Sequence, residues 1–254
     1  MNDKQLLFAS IVLLFVMLWL PMGQHNFLID HWMKLGTYAI PFIGIGIFAF
    51  KEKVVDPPLT SNLRFIAVIS LMAYILHQFE EHWIDLFGNY YAFYTFNNSF
   101  ILEGLRQPDA TVKPLTKESI FVINTSLVWL VGLLAILRSP KHIFPLVSMA
   151  SIVLVNGIVH IVGAISKLQY NPGLFTSLVL FIPLYFWFWG HIRKRIDNYK
   201  ALVLCGLIWG FLAHVIMVVG LLLANWFEMI PEYLYWFVLV IWSVVPVFIL
   251  RRTT

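Results

Sequence analysis

Hydrophobic positions dominate the chain in long runs, each separated from the next by a short break rich in charged residues, proline or glycine. Runs of this length predict helices that cross a bilayer, because a helix needs about 20 apolar residues to span the hydrocarbon. The pattern places eight spans near 6–24, 35–50, 64–86, 118–137, 143–165, 173–191, 201–224 and 233–250. Pro57-Pro58, Ser139-Pro140-Lys141 and Asn171-Pro172-Gly173 mark three of the breaks, and Pro246 interrupts the last run. The expected fold class is therefore all-α: a polytopic transmembrane bundle forming a single domain over 1–254.

Composition agrees, with 60% hydrophobic and 12% charged residues in 254. The longest connection, about 87–117, is too short for a soluble domain and carries Asn89-Tyr90-Tyr91-Ala92-Phe93-Tyr94, a composition suited to the bilayer interface or to a lid. A single cysteine, Cys205, excludes an internal disulfide and a thiolate metal cluster. Charge acquires meaning by position. Twelve basic residues, among them Lys4, Lys51, Arg64, Arg138, Arg193 and Arg251, fall on one side of the expected topology, and five (Lys34, Arg106, Lys113, Lys117 and Lys167) on the other. The positive-inside rule then puts both termini in the cytoplasm. No phosphate loop, serine elbow or nucleic-acid patch is present, and the expected setting is the bacterial cytoplasmic membrane.

Against this background one polar packet stands out, His77-Gln78-Phe79-Glu80-Glu81-His82 in the third span. A charge at mid-bilayer costs about 2.5–3.5 kcal/mol on insertion scales, so two adjacent glutamates require compensation. At about 100° per residue Glu80 and Glu81 flank His77 on one helix face, whereas His82 points away. By depth, His160 on the fifth span and His214 on the seventh reach the same layer, joined by Asn156 one turn below His160 and by Asn124 on the fourth span. His25, Asp30, His31 and Tyr170 lie above it in outer connections. Two carboxylates with histidines from three helices form the donor set of a divalent metal, zinc favoured and iron the alternative. The expected ligands are His77, Glu81, His160 and His214. Glu80 and Glu81 are the expected catalytic carboxylates, with Glu80 as general acid or base or as a second ligand, and Asn124, Asn156 and Tyr170 orient ligands or substrate. Each residue also has a plainer reading: His214 as a bond between helices, the glutamates as a protonated dyad, His82 and Asp85 as interfacial, and Lys167 as snorkelling outward.

At these residues the chain resembles the HXXEE family of bacterial membrane proteins. The naming motif stands as His77-Gln78-Phe79-Glu80-Glu81, followed by Asn156-Gly157-Ile158-Val159-His160 and Tyr170-Asn171-Pro172-Gly173, and the resemblance covers about 64–190. It implies that these residues share one site, and it brings no activity with it. The protease spacing His-Glu-x-x-His is absent, and eight histidines are too few for a histidine-rich di-iron centre. The expectation is a metal-dependent intramembrane enzyme acting on a hydrophobic or lipid-like substrate, hydrolytic or Lewis-acid in chemistry. The alternatives are an iron oxidoreductase, a metal-free acid/base isomerase and a proton-coupled transporter. The bilayer and an apolar small molecule are the expected partners, with no nucleic acid; oligomeric state is not legible in the sequence.

Overall fold

Apolar segments in lipid must satisfy their backbone groups internally, and the chain does so with helices. A computed structural model describes residues 26–49, 63–139, 142–194 and 196–249. The expected first span, 6–24, and His25 lie outside the described residues. Among the described residues eight helices follow in order: α1 (Asn26–Ala49), α2 (Leu63–His82), α3 (Ala92–Gly104), α4 (Lys117–Arg138), α5 (Phe144–Lys167), α6 (Leu174–Ile192), α7 (Tyr199–Trp226) and α8 (Glu232–Phe248). Five of them, α2, α4, α5, α6 and α7, are long and apolar enough to cross a membrane, and α8 is a shorter apolar helix of 17 residues. Among the described residues the one strand-like pairing is the bridge between Ile84 and Tyr90.

The second expected span begins earlier than the hydropathy pattern indicates. Asp30 and His31 lie on α1 rather than in a loop, and Asp30 pairs with Lys117 at the start of α4, 2.6 Å away. The aromatic connection folds around α3. Asn98 ties that helix down by a reciprocal pair of bonds, its Nδ2 donating to the Leu115 carbonyl and its Oδ1 accepting from the Leu115 N–H. Lys167, expected to snorkel, pairs with Glu103 and lies over the Phe100 ring, which ties α3 to the end of α5.

Helix α5 runs through the middle of the bundle. Phe144 to Val153 is buried on every side, against α4, α6 and α7. Lipid supplies little hydrophobic drive between helices, so close backbone approach through small residues matters more. Gly206 and Gly210, four apart on α7, meet Val147 and Ser151 of α5 so closely that a Cβ on Gly206 would sit 2.4 Å from a Val147 methyl. The other face of α7, with Leu204, Ile208 and Phe211, is exposed as a lipid-facing surface should be.

Two turns are widened where the site forms. Helix α4 is π-helical over Asn124–Leu130, and there Asn124, Thr125 and Ser126 each donate a side-chain bond to the carbonyl four residues back. Helix α6 is π-helical over Ser177–Phe181, just after Ser177 Oγ donates to the Gly173 carbonyl. Side chains that compete for i−4 carbonyls loosen a helix, and π-turns recur at functional sites.

At one end of the bundle Glu232 knots three segments together. Its Oε1 accepts from Thr116 Oγ, Ser119 Oγ and Asn225 Nδ2, joining the first turn of α4, the end of α7 and the first turn of α8. Glu232→Ala removes the acceptor shared by the Thr116 and Ser119 hydroxyls and one of the two held by Asn225 Nδ2, and the thermal midpoint in detergent is expected to fall by the equivalent of about 2 kcal/mol. Glu228→Ala, at an exposed position in the neighbouring loop, is expected to leave the midpoint unchanged.

Candidate metal site

The two adjacent glutamates of α2 are 4% and 3% exposed, and the fold gives them opposite surroundings. Glu80 is saturated with donors. Its Oε1 accepts from the Tyr170 hydroxyl at 2.8 Å and the Phe175 N–H at 3.0 Å, and its Oε2 from the Thr176 N–H at 2.8 Å and the Thr176 hydroxyl at 2.5 Å. The carboxylate thus sits on the N-terminus of α6, where free N–H groups and the helix dipole stabilise an anion. Burial pushes the Tyr170 hydroxyl above its ordinary pKa, and the bond to Glu80 acts in the same direction, so this loop tyrosine remains a donor. Glu80, expected as a general acid or base or as a second ligand, joins α2 to α6 through these four bonds.

Glu81 receives no hydroxyl or amide hydrogen bond among the described residues. Three imidazoles surround it instead. His160 Nε2 is 3.1 Å and His77 Nε2 3.4 Å from its Oε1, and His82 Nε2 is 3.4 Å from its Oε2. What those nitrogens can offer is set on the far side of each ring. Thr176 directs its hydroxyl hydrogen to Glu80, so its oxygen accepts from His77 Nδ1–H at 2.7 Å. Asn171 donates its amide to the His160 carbonyl, so its Oδ1 accepts from His160 Nδ1–H at 2.6 Å. With Nδ1 engaged on the far side of both rings, His77 and His160 each turn Nε2 toward the Glu81 carboxylate. His77 Nε2 is buried without a hydrogen-bond partner among the described residues.

His82 is held differently. Trp129 can only donate, and it donates to Gln78 Oε1; Gln78 Nε2 donates to Asn124 Oδ1; Asn124 Nδ2 then faces His82 Nε2 at 3.2 Å. The indole at one end of this chain therefore fixes both amides and the imidazole tautomer. His82, expected at the interface, is buried between the Trp32 and Phe93 rings, and its lone pair is already engaged by an amide.

Ligand atoms of His77, Glu81 and His160 all lie within 4.8 Å of one another, a buried group that can hold a metal ion. The loop between α5 and α6 closes the site from one side. Asn171 orients His160, Tyr170 caps Glu80, and Gly173, at φ +99°, lies against both imidazoles and the Glu81 side chain. Beside the trio lies a cavity of about 120 Å³ lined by Glu81 and His160 together with Phe93, Phe96, Asn156, Asn171 and His214. His214 borders this cavity and stands apart from the trio, its Nδ1 bound to the Gly210 carbonyl at 2.8 Å. Asn156 also borders it, and Asn124 reaches the trio only through His82. Thr176 and Trp129 join the site without standing out in the sequence, and Gln78, part of the polar packet, takes a role that the sequence does not indicate. The one signal for Thr176 is its place in the first turn of a helix opened by Pro172-Gly173.

Comparison with family models matches residues 68–188 to a family described as a protein of unknown function with an HXXEE motif. The match contains His77, Glu80, Glu81, Asn124, Asn156, His160 and Tyr170. His214 lies beyond it. Comparison with curated proteins and with solved structures finds no match.

Proposed function

We propose that the protein, whose residues 68–188 match a family named for its HXXEE motif rather than for an activity, is a membrane-embedded metal-dependent enzyme acting on a hydrophobic or lipid-like substrate. Glu81 carries this reading. Two imidazole Nε2 atoms lie 3.1 and 3.4 Å from one oxygen of a buried carboxylate, so three ligand atoms face one position, and a cation there satisfies all three groups together. Two imidazoles and one carboxylate with a side open to a cavity form the donor set of catalytic zinc, and zinc supplies Lewis acidity and an acidified water. The same donors serve non-haem iron, which makes the oxidoreductase the second reading.

The chain's own residues have distinct tasks. His77, Glu81 and His160 hold the ion; Glu80, through Thr176, and Asn171 fix the two imidazole tautomers and ring orientations. Asn156 and His214 meet the molecule that occupies the cavity. The apolar outer surface supports a membrane setting, and the one-sided basic residues of the sequence support an orientation with both termini inside.

Elemental mass spectrometry of detergent-purified protein tests the proposal. The expected result is about one zinc per chain, lost in both His77→Ala and His160→Ala. Iron in the same pattern shifts the reading to oxidation. Wild-type protein that takes up no stoichiometric metal even on reconstitution removes the proposal and leaves an acid/base isomerase or a proton-coupled carrier.

A further inference from the structure

The cavity beside the trio opens between two facing helix stripes. On α3, Phe96 and Phe100 line the cavity, and Glu103 follows one turn further along the same side. On α5, Val159 and Gly163 line it, and Lys167 follows at the same four-residue spacing. Phe100 and Val159 are 42% and 54% exposed although they line the cavity, so the cavity reaches the outside of the bundle between these stripes. At the end of the seam the Lys167 ammonium pairs with the Glu103 carboxylate and lies over the Phe100 ring. Lys167 closes a membrane-length helix and Val159 lies two turns, about 12 Å, deeper, so the seam runs from the bilayer boundary into its apolar part.

Gly163 stands in this seam on different grounds from the glycines that let helices approach. A Cβ on Gly36, Gly132, Gly206 or Gly220 would lie under 3.0 Å from a neighbouring side chain, as expected where small residues serve close packing. A Cβ on Gly163 would meet only Asn171 Nδ2 among the described residues, at 3.4 Å, so no neighbour packs into the space its missing side chain leaves. That space adjoins the cavity. The ion pair is the second element. Both partners are partly exposed, and an exposed pair contributes little net stability, so it closes the seam without locking it. The rest of α3 is held elsewhere, Asn98 by Leu115 and the Tyr91 N–H by the Trp83 carbonyl at 3.1 Å. Breaking the pair therefore releases the last turn of α3 from α5 and leaves those ties in place.

We propose that this seam is a lateral portal: an apolar or lipid-like molecule enters the cavity from the bilayer between α3 and α5, Gly163 sets the width it must fit, and the Lys167–Glu103 pair is the latch. The inference gives the substrate of the metal-dependent enzyme proposed above a route and a size limit. It rests on that reading for what happens to the molecule inside, and not for entry.

Photolabelling in phosphatidylcholine nanodiscs tests this, with a long-chain diazirine alcohol as the probe and peptide mass spectrometry as the readout. In a Cys205→Ala background, Glu103→Cys and Lys167→Cys are joined by a short bis-methanethiosulfonate linker that a reductant cleaves. The joined protein is expected to lose labelling at Phe96, Val159 and Met217 roughly fivefold or more and to regain it on cleavage, which separates closure of the portal from misfolding. Gly163→Leu, which fills the gap without a linker, is expected to show the same loss. Val162→Leu, at the exposed neighbouring position, is expected to label as wild type does. Joined and cleaved protein that label alike overturn the inference, as does wild-type labelling in Gly163→Leu or wild-type protein labelled at none of the three positions. Metal content is measured on the same samples. A protein without metal whose labelling still follows the linker keeps this inference and loses the enzyme proposal, and one that binds metal but labels regardless of the linker does the opposite.

Discussion

Glu81→Gln is expected to abolish metal binding with little loss of thermal stability, whereas the isosteric change one residue earlier, Glu80→Gln, does the reverse. In the first variant the metal loses its anionic ligand, and affinity should fall by more than the 10–100-fold that loss of an orienting partner typically produces. The new amide can donate to His77 Nε2 and His160 Nε2, which now face a carboxylate oxygen at 3.4 and 3.1 Å. The metal-free protein therefore keeps its midpoint or gains slightly, since a buried charge has been replaced by a donor. In the second variant the amide brings hydrogens against the Thr176 N–H and hydroxyl, or against Tyr170 and the Phe175 N–H, all of which are donors. Strained or broken bonds of that kind cost about 2–4 kcal/mol, and the α6 N-terminus loses its counter-charge. Thr176 then no longer fixes the His77 tautomer, so metal affinity should drop within the range expected for an orienting residue, with the ion still bound at saturating concentration. Paired measurements of thermal midpoint and metal stoichiometry check the crossed pattern. Two variants that behave alike would mean that the two carboxylates share one role.

The difference between these glutamates marks the limit of what the sequence discloses. Helical periodicity places Glu80 and Glu81 on adjacent parts of the face that carries His77, and the insertion penalty requires both to be compensated. Which partner reaches which carboxylate depends on where α6 begins and how α5 is rotated, and neither follows from the pattern of α2 alone. His160 is legible because its depth and the neighbouring Asn156 agree. His214 has the same depth signal, but depth fixes only one coordinate of a side chain. The rotation of α7, set by Gly206 and Gly210 against α5, leaves His214 on the far side of the cavity. His82 departs from its expected interfacial place for a related reason: a residue one position past Glu81 turns away from His77, but α1 and α3 bring Trp32 and Phe93 over that side and bury it. The boundaries of the five membrane-length helices are legible to within a few residues, whereas α1 begins early and neither α1 nor α8 is among the five. Widened turns in α4 and α6 leave no mark on hydropathy.

Gly173→Ala is expected to be the most damaging glycine-to-alanine change at the site among the described residues. Its φ of +99° already disfavours any residue with a Cβ, by about 1–2 kcal/mol for the left-handed region. The added methyl also has nowhere to go, since its ideal position lies 2.6 Å from His160 Cε1, 2.8 Å from His77 Cε1 and 3.0 Å from Glu81 Cγ. All three neighbours belong to the trio. Two are ring carbons whose imidazoles are pinned by Thr176 and Asn171, so relief requires breaking the bonds that set their tautomers. Gly88 provides the control. It has a comparable φ of +84° but nothing within 4 Å of an added methyl, so Gly88→Ala isolates the backbone cost from the collision. Gly88→Ala should lose about 1 kcal/mol in the thermal midpoint and keep its metal. Gly173→Ala should lose several times as much and bind metal at least about tenfold more weakly, because displaced ligands no longer converge. If the two variants match, the loop from Tyr170 to Gly173 is a turn that happens to pass the site. If they diverge as expected, that loop is the wall against which the two histidines and the glutamate are positioned.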